Sequence, residues 1–385
     1  MRHAETFLAN IRDHAAGLAS DRAERQRRRN LDPTDYHALR DIGLHLATVP
    51  VCYGGMWESP TCSMRTLCDA YRSLAAGDPS LALASSMHAA VLAHWRDPAP
   101  PASGADAWAA QRREVFATVL DGAWWGTIIS EPGSGGDIAN TKAAVRHDGA
   151  SWRLTGEKHF GTGSGASSYV LTAGVPEGAQ EPRFCFLDVR NVPWDGSQGM
   201  TLIAEWDGHG MAATNSHGFA FRDYPATPLA WPGSWRDLSD AVGGGSGIVY
   251  TAVIVGVVEA AMDYMRGHLA RRGQPDSLRF FDKVEWVAAY REAWLLQQAF
   301  EAALRAFEQT GQARQETALA KANIAILAES VLIRLCRIAG GGVFGRHSPL
   351  GFWFEDVRAL GFLRPPWAIA SDRLFDLSWR DGAAG

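Results

Sequence analysis

Apolar residues recur three and four apart along most of the first 120 positions, the spacing that lines one face of an α-helix. PTDYHALRDIGLHLA (33–47) and SLALASSMHAAVLAHW (80–95) carry the pattern most clearly, and Asp32 with Pro33 and Asp78 with Pro79 supply helix starts. Between them VPVCYGGMW, with its Pro and paired Gly, reads as a turn. From about residue 122 to 230 the period changes. TIIS, KAAVRH, WRLTG, YVLTAG, RFCFLDV, MTLIAEW and HGFAFRDY alternate or run apolar between Gly, Asp, Pro and Asn, which predicts seven short strands in a compact antiparallel barrel or sandwich. After WPGSWRDLSDAVGGGSG helical periodicity returns over approximately 247–272, 277–310 and 313–340, followed by GGGVFGRHSP and shorter helical pieces.

Composition narrows what this order of helices, strands and helices can serve. The chain has 385 residues, 46% hydrophobic and 21% charged, with 40 Gly and 18 Pro, which is an ordinary globular composition. A formal charge of −5 leaves no positive excess to hold a phosphate backbone, so nucleic-acid binding is not expected. The basic run RAERQRRR (22–29) is interrupted by Glu24 and reads as a solvated helix face. Cys52, Cys62, Cys68, Cys185 and Cys336 are scattered, with no CxxC and no His at ligand spacing, which argues for a reducing compartment and no metal site. The N-terminal stretch has no continuous apolar core of a secretory signal. GIVYTAVIVGVVEAAMDYM (247–265) is long enough to test against a bilayer, yet it carries Glu259 and Asp263 and reads as a buried bundle helix. The expectation is a cytoplasmic protein with no membrane partner. One number stands out: 15 Trp beside 16 Phe and 8 Tyr.

The segment densest in candidate chemistry is TIISEPGSGGDIANTKA (127–143). Its glycine turn follows one strand and precedes another, so it fits neither a dinucleotide fingerprint nor a phosphate loop, both of which need a helix next. Glycines there let backbone N–H groups and the Ser130 hydroxyl approach a flat ligand; a simple glycine hairpin is the plainer alternative. In WRLTGEKHFGTGSGASSYVLTAG (152–174), Phe160 offers a ring and Thr162 a hydroxyl between Gly161 and Gly163, a pairing suited to a heteroaromatic cofactor. Two further motif-like stretches follow, WDGHGMAATNSHGFAFRDYPATP (206–228) and AGGGVFGRHSPLGFWFEDVRALGFLRPP (339–366).

These four segments, in this order, together with VPVCYGGMW and the DPSLA that follows, resemble the acyl-CoA dehydrogenase superfamily of flavoproteins over essentially the whole chain. The resemblance implies an α+β multidomain fold: an N-terminal α-helical domain (1–121), a middle β-barrel domain that binds flavin (122–232) and a C-terminal four-helix bundle (233–385) that contacts cofactor and oligomerises. It implies FAD, or FMN, as cofactor and a homodimer or homotetramer. Ile129, Ser130, Phe160 and Thr162 would contact the isoalloxazine, with Ser130 and Thr162 near N5 and C4=O as tuning residues rather than acid–base groups. Arg271 would meet the cofactor pyrophosphate, and Gly340 and Gly341 would approach it across a subunit contact; a helix C-terminal cation and a helix cap are the alternatives.

The match fails where dehydrogenation needs a base. Removal of the proton α to a thioester requires a carboxylate within reach. The family's Glu lies eight residues beyond the Asp of the GG…D segment, which here, from Asp356, is Arg364. The other branch places it at the start of the first bundle helix, which here is Val249; Glu259 is almost three turns further on. RRGQPDS replaces the family's R-x-x-F-G stretch, Gly136 the Ser before the loop Asp, and Tyr250 an Arg near the helix start, all of which weakens the case for a CoA thioester. Relatives without the Glu include flavin monooxygenases, which use reduced flavin and O2, and KHFGTGSGASS resembles that branch. The expected function is therefore a flavin-dependent monooxygenase or oxidase on a small organic substrate, with O2 and a flavin reductase as partners. The alternatives are an acyl-CoA dehydrogenase with another base and a non-catalytic relative. Arg364, His88 and Ser164 are the candidate catalytic residues: Arg364 as a permanent charge in the cleft, His88 as a proton relay or a core residue, and Ser164, with Ser168, as a neutral donor or a turn residue. Trp95, Trp124, Trp125, Trp353 and Trp367 fall in segments the resemblance puts around the cofactor cleft, suggesting a dry, aromatic-lined pocket.

Overall fold

The computed structural model describes residues 2–149 and 151–381. The helices before the barrel are α1 (Arg2–Ser20), α2 (Arg22–Arg25), α3 (Pro33–Ile42), α4 (Pro60–Gly77), α5 (Pro79–Arg96) and α6 (Ala105–Leu120). The starts read from Asp32 and Asp78 are physical caps. Asp32 accepts the Thr34 N–H and forms a reciprocal capping box with Asp35, and Asp78 accepts the Leu81 N–H at 2.9 Å. Asp78 also anchors the basic run. Arg25 is buried and pairs with Asp78 at 2.5 Å and Asp35 at 3.0 Å, while the Arg22 guanidinium lies 4.9 Å from the Trp353 ring centroid. The expectation of a solvated basic face is corrected for these two arginines: charge interrupted by Glu24 marks a helix surface, but nothing local predicts that distant Asp78 and Trp353 cover it.

Seven strands follow: β1 (Trp125–Thr127), β2 (Ala144–His147), β3 (Trp152–Gly161), β4 (Tyr169–Pro176), β5 (Arg183–Asp188), β6 (Met200–Ala204) and β7 (His217–Pro228). Pairings β4–β2, β2–β3, β3–β7, β7–β5 and β5–β4 close a ring, with β1 added beside β4 and β6 beside β7. Closure removes the sheet edges that an open arrangement would expose. The barrel is not purely antiparallel as expected: β1 and β2 both run parallel to β4. A period-2 pattern reports which face of a strand is buried but not the direction of its neighbour.

The C-terminal helices are α7 (Trp235–Ala241), α8 (Gly245–Arg272), α9 (Phe280–Thr310), α10 (Arg314–Ala339), α11 (Pro349–Phe362) and α12 (Trp367–Asp381). Ile248 to Val258 of α8 are buried without a break, because α4, α5, α10 and α11 surround this helix. That enclosure accounts for its membrane-like hydropathy. Gly256 is required at the α4 crossing, where an added Cβ would stand 2.1 Å from the Arg72 carbonyl oxygen.

The tryptophans correct another expectation. Trp95 and Trp125 are fully buried in a second core between the N-terminal helices and the barrel, where Trp125 stacks on Tyr169 at 4.7 Å. Trp353 is enclosed in the bundle core against Tyr264, and Trp124 packs among Tyr36, His45 and His88. Four of the five rings assigned to a pocket wall are packing between layers, and Trp367, half-buried, lies against Gly361. Large indoles are efficient fillers of interfaces between elements.

Candidate functional site

The glycine loop and the end of β3 come together because the Ser130 carbonyl accepts the His159 N–H at 2.7 Å in an isolated bridge. Phe160 therefore emerges next to this bridge, with Thr162 two residues further on. Phe160 has φ +59° and a side chain 59% exposed, an unusual combination for an aromatic residue at a strand end. Such backbone positions are costly and mark places where a side chain is held in a set direction. Its ring meets Trp206 edge-on at 6.2 Å, leaving apolar surface that a flat ligand would cover. Thr162 is buried and its hydroxyl contacts Ser216 at 3.0 Å. Ile129 is half-buried against the second core.

The loop itself is supported from below. Glu131 is buried, forms an ion pair with Lys158, and accepts the backbone N–H groups of Lys142 at 2.6 Å and Ala143 at 3.2 Å. Lys158 also donates to the Ala173 carbonyl at 2.6 Å. Burial lowers the Lys158 pKa, and Glu131 offsets part of that cost. Gly136 closes the loop at φ +78°, where a side chain would meet Pro366 at 2.9 Å.

From the bundle side, Arg364 donates to the Gly136 carbonyl at 2.8 Å and to Ser130 Oγ at 3.3 Å. Burial pushes its pKa down to about 10, opposed by Tyr250, Asp137 and Glu131, so the guanidinium stays charged at neutral pH. Tyr250 is buried and its phenol is pushed up to about 12, which keeps it neutral. The next residue, Pro365, receives a hydrogen bond from buried Lys321 at 2.8 Å, an amine whose pKa burial lowers to about 8. The other positions considered for a base supply none in the cleft. Val249 is fully buried, and Glu259 accepts from Arg72 at 3.0 Å and Gln297 at 3.1 Å.

Ile129, Ser130, Phe160, Thr162 and Arg364 thus gather at one place, but two expected catalytic residues do not serve there as read. His88 is enclosed: its Nδ1 accepts the Trp125 N–H at 2.9 Å, so Nε2 carries the proton and donates to the His45 carbonyl at 3.0 Å. Both nitrogens are spent on backbone, and burial pushes the pKa down to about 3. Such a ring fastens β1 to α5 rather than relaying protons. Ser164 donates to the Gly161 carbonyl within its own turn, and the Ser168 hydroxyl accepts the Trp124 N–H at 3.4 Å. Both are turn and edge residues. Arg271, Gly340 and Gly341 sit at the far ends of α8 and α10, which Arg272 ties together by donating to the Ile338 carbonyl at 3.3 Å. All three are exposed, and the two glycines border open space.

Residues missed by sequence reasoning include the Glu131–Lys158 pair, Ser216, Thr214 and Asp356. Glu131 adjoins Ser130, and Lys158 precedes Phe160 by two, so a buried pair could have been suspected from adjacency. Nothing local marks the others. Asp356 accepts the Met211 N–H at 2.6 Å and is fully enclosed, which pushes its pKa up to about 7.

No family model matches the chain. The amino sugar nitrososynthase DnmZ of Streptomyces peucetius is 25% identical over 383 residues, covering 93% of this chain and 89% of that protein. Among solved structures, KijD3 in complex with FMN and dTDP-3-amino-2,3,6-trideoxy-4-keto-3-methyl-D-glucose aligns at TM-score 0.82 and 22% identity, over 98% of this chain and 94% of that one. Butyryl-CoA dehydrogenase from Megasphaera elsdenii aligns at TM-score 0.84 and 18% identity, over 98% of both chains. At these identities the two structures establish likeness of fold.

Proposed function

We propose that the chain, which shares the fold of the acyl-CoA dehydrogenase superfamily of flavoproteins, is a flavin-dependent monooxygenase that oxygenates an amine nitrogen on a small organic substrate. The observation that carries this reading is Arg364. In the place where a dehydrogenase needs a proton acceptor, a guanidinium donates to Ser130 and Gly136, and guanidinium does not accept a proton in this pH range. The choice of an amine is supported by the amino sugar nitrososynthases among the relatives.

Bound reduced flavin supplies two electrons, so that one oxygen atom enters the substrate and the other leaves as water. The residues fit such a group. Phe160 would offer its exposed ring to one face, Ser130 and Thr162 would meet the polar edge, and Ile129 would contact the ring system. Arg364 fixes the loop and sets a positive charge at the cleft, where it can also receive an anionic substrate group. Arg271 with Gly340 and Gly341 would take the phosphate end, completed by a second copy of the chain. A homo-oligomer is supported by the exposed apolar side chains Phe280, Tyr290 and Trp294 of α9 and Ile326 of α10, whose contact with water is costly.

The experiment is a pair of incubations. With reduced flavin, O2 and a panel of primary amines, including amino sugars, a product heavier by one oxygen atom supports the proposal. Under anaerobic conditions, bleaching of the bound flavin by an acyl-CoA alone would sink it and restore the dehydrogenase. A colourless protein that takes up neither FAD nor FMN would instead point to a binding or assembly subunit.

A further inference from the structure

Three hydroxyls stand in line behind the cleft. Thr162 Oγ1 lies 3.0 Å from Ser216 Oγ, Ser216 Oγ lies 2.8 Å from Thr214 Oγ1, and Thr214 Oγ1 lies 2.8 Å from the Met211 carbonyl oxygen. All three side chains belong to buried residues. Each hydroxyl has one hydrogen to give, whereas a carbonyl oxygen has none. Thr214 must therefore donate to Met211. Its hydrogen being spent, Ser216 must donate to Thr214, and Thr162 must in turn donate to Ser216. The end of the ladder is held from its other side, because the Met211 N–H donates to Asp356 Oδ1 at 2.6 Å. The direction of all three bonds is thus set by one carbonyl oxygen, that of Met211.

We propose that this ladder makes Thr162 a hydrogen-bond acceptor only toward its ligand, so that the site prefers reduced over oxidised flavin. The inference rests on the reading above that Thr162 faces the N5 edge of the ring. In oxidised flavin N5 is an imine nitrogen with a lone pair, and opposite Thr162 two acceptors would meet. In reduced flavin N5 carries a hydrogen that Thr162 can accept. Thr162, with its hydrogen committed inward, cannot donate to oxidised N5 without giving up its bond to Ser216 and setting the two hydroxyl oxygens lone pair to lone pair, so the oxidised state has one hydrogen bond fewer than the reduced. A protein that receives reduced flavin from a separate reductase gains a means of holding that state. Ser216 and Thr214 act through Thr162 and are positioning residues.

The test compares the dissociation constants of oxidised and chemically reduced FMN and FAD, measured anaerobically for the full-length protein and two variants. Thr214→Val removes the terminal hydroxyl at little change in volume. Ser216 then turns its hydrogen to Thr162, whose own hydrogen is released toward the ligand. Ser216→Ala releases that hydrogen directly. In each variant the preference for reduced flavin is expected to fall about five- to tenfold relative to wild type, the worth of one properly oriented hydrogen bond. The potential of the bound flavin moves in the same direction, lower in the variants. If one variant does not fold, as judged by its far-ultraviolet spectrum, the other supplies the comparison. Folded variants that bind flavin with an unchanged preference would overturn the ladder while leaving the flavoprotein reading intact. Failure of the wild type to bind either redox state overturns both.

Discussion

Arg364 and Ser130 are 234 positions apart and hydrogen-bonded, the guanidinium donating to the seryl oxygen at 3.3 Å while its other arm holds the Gly136 carbonyl at 2.8 Å. One side chain from the segment after α11 therefore spans both ends of the loop that begins the candidate site. Ser130 and Gly136 are oriented from the bundle as much as from the barrel.

Arg364→Lys is expected to weaken flavin binding by about tenfold. A single ammonium cannot make the forked contact to two acceptors, and hydrogen bonds to charged groups are worth roughly 1.5–3 kcal/mol each. Flavin fluorescence titration measures the loss. An unchanged affinity would separate Arg364 from the cofactor and leave it as a substrate contact alone.

Lys158→Met is expected to destabilise the fold by about 3–5 kcal/mol, because it leaves the Glu131 carboxylate buried without its cation. Side-chain exposures of 0% for Lys158 and 4% for Glu131 leave little room for water to substitute. Adding Glu131→Gln should recover part of the loss, which denaturant unfolding of the three proteins would reveal. A double variant no more stable than the single one contradicts the account.

His88 and His45 make the protein acid-sensitive. Burial lowers their folded pKa values to about 3 and about 4, below the ordinary value of 6.5. Between those values the unfolded chain takes up protons that the folded chain refuses. Their contribution is thus complete above about pH 6.5 and is lost as the pH falls toward 3. His88→Ala removes its share of this slope and costs about 2–4 kcal/mol by orphaning the Trp125 N–H and the His45 carbonyl. Thermal unfolding from pH 4 to 8 tests both points, and the pH dependence of turnover should show no inflection due to His88.

Asp356 works in the opposite sense. Its folded pKa is raised to about 7 by burial, with Asp78 and Glu355 adding to the shift, against an ordinary value of 3.8. The folded protein keeps this proton where the unfolded chain has released it, so the associated stability is full below about pH 4 and declines as the pH climbs to 7. Asp356→Asn retains an oxygen for the Met211 N–H without the titration. Relative to wild type it should gain stability, on the order of 1–3 kcal/mol, as pH rises from 5 to 8. A constant difference across that range would refute the assignment.

Much of the fold was legible because its signals are local. Asp32 and Asp78 start helices through bonds to residues two and three positions away, and β-branched and aromatic runs between turn residues become the seven strands. The loop at Ser130 and the ring and hydroxyl at Phe160 and Thr162 were visible for the same reason, each lying in a short segment of unusual composition. His88 admits two roles on sequence alone, and only its neighbours decide between them: Trp125 and His45 come from separate elements and occupy both nitrogens.

By itself the sequence determined the order of helical and strand regions and two glycine-rich segments that carry a ring and hydroxyls, while the family resemblance, not spacing, marked Arg364 as a cation where a base was expected. The first two are properties of residue type and spacing. Only the tertiary structure decided which tryptophans are core, that Arg25 is buried, that β1 and β2 run parallel to β4, and that Thr162, Ser216, Thr214 and Met211 form a one-way ladder. Pattern along a chain reports how often a face turns inward. Partners such as Arg364 and Ser130, or Met211 and Asp356, meet only when distant elements pack, and the direction of a hydrogen bond is set by the partner.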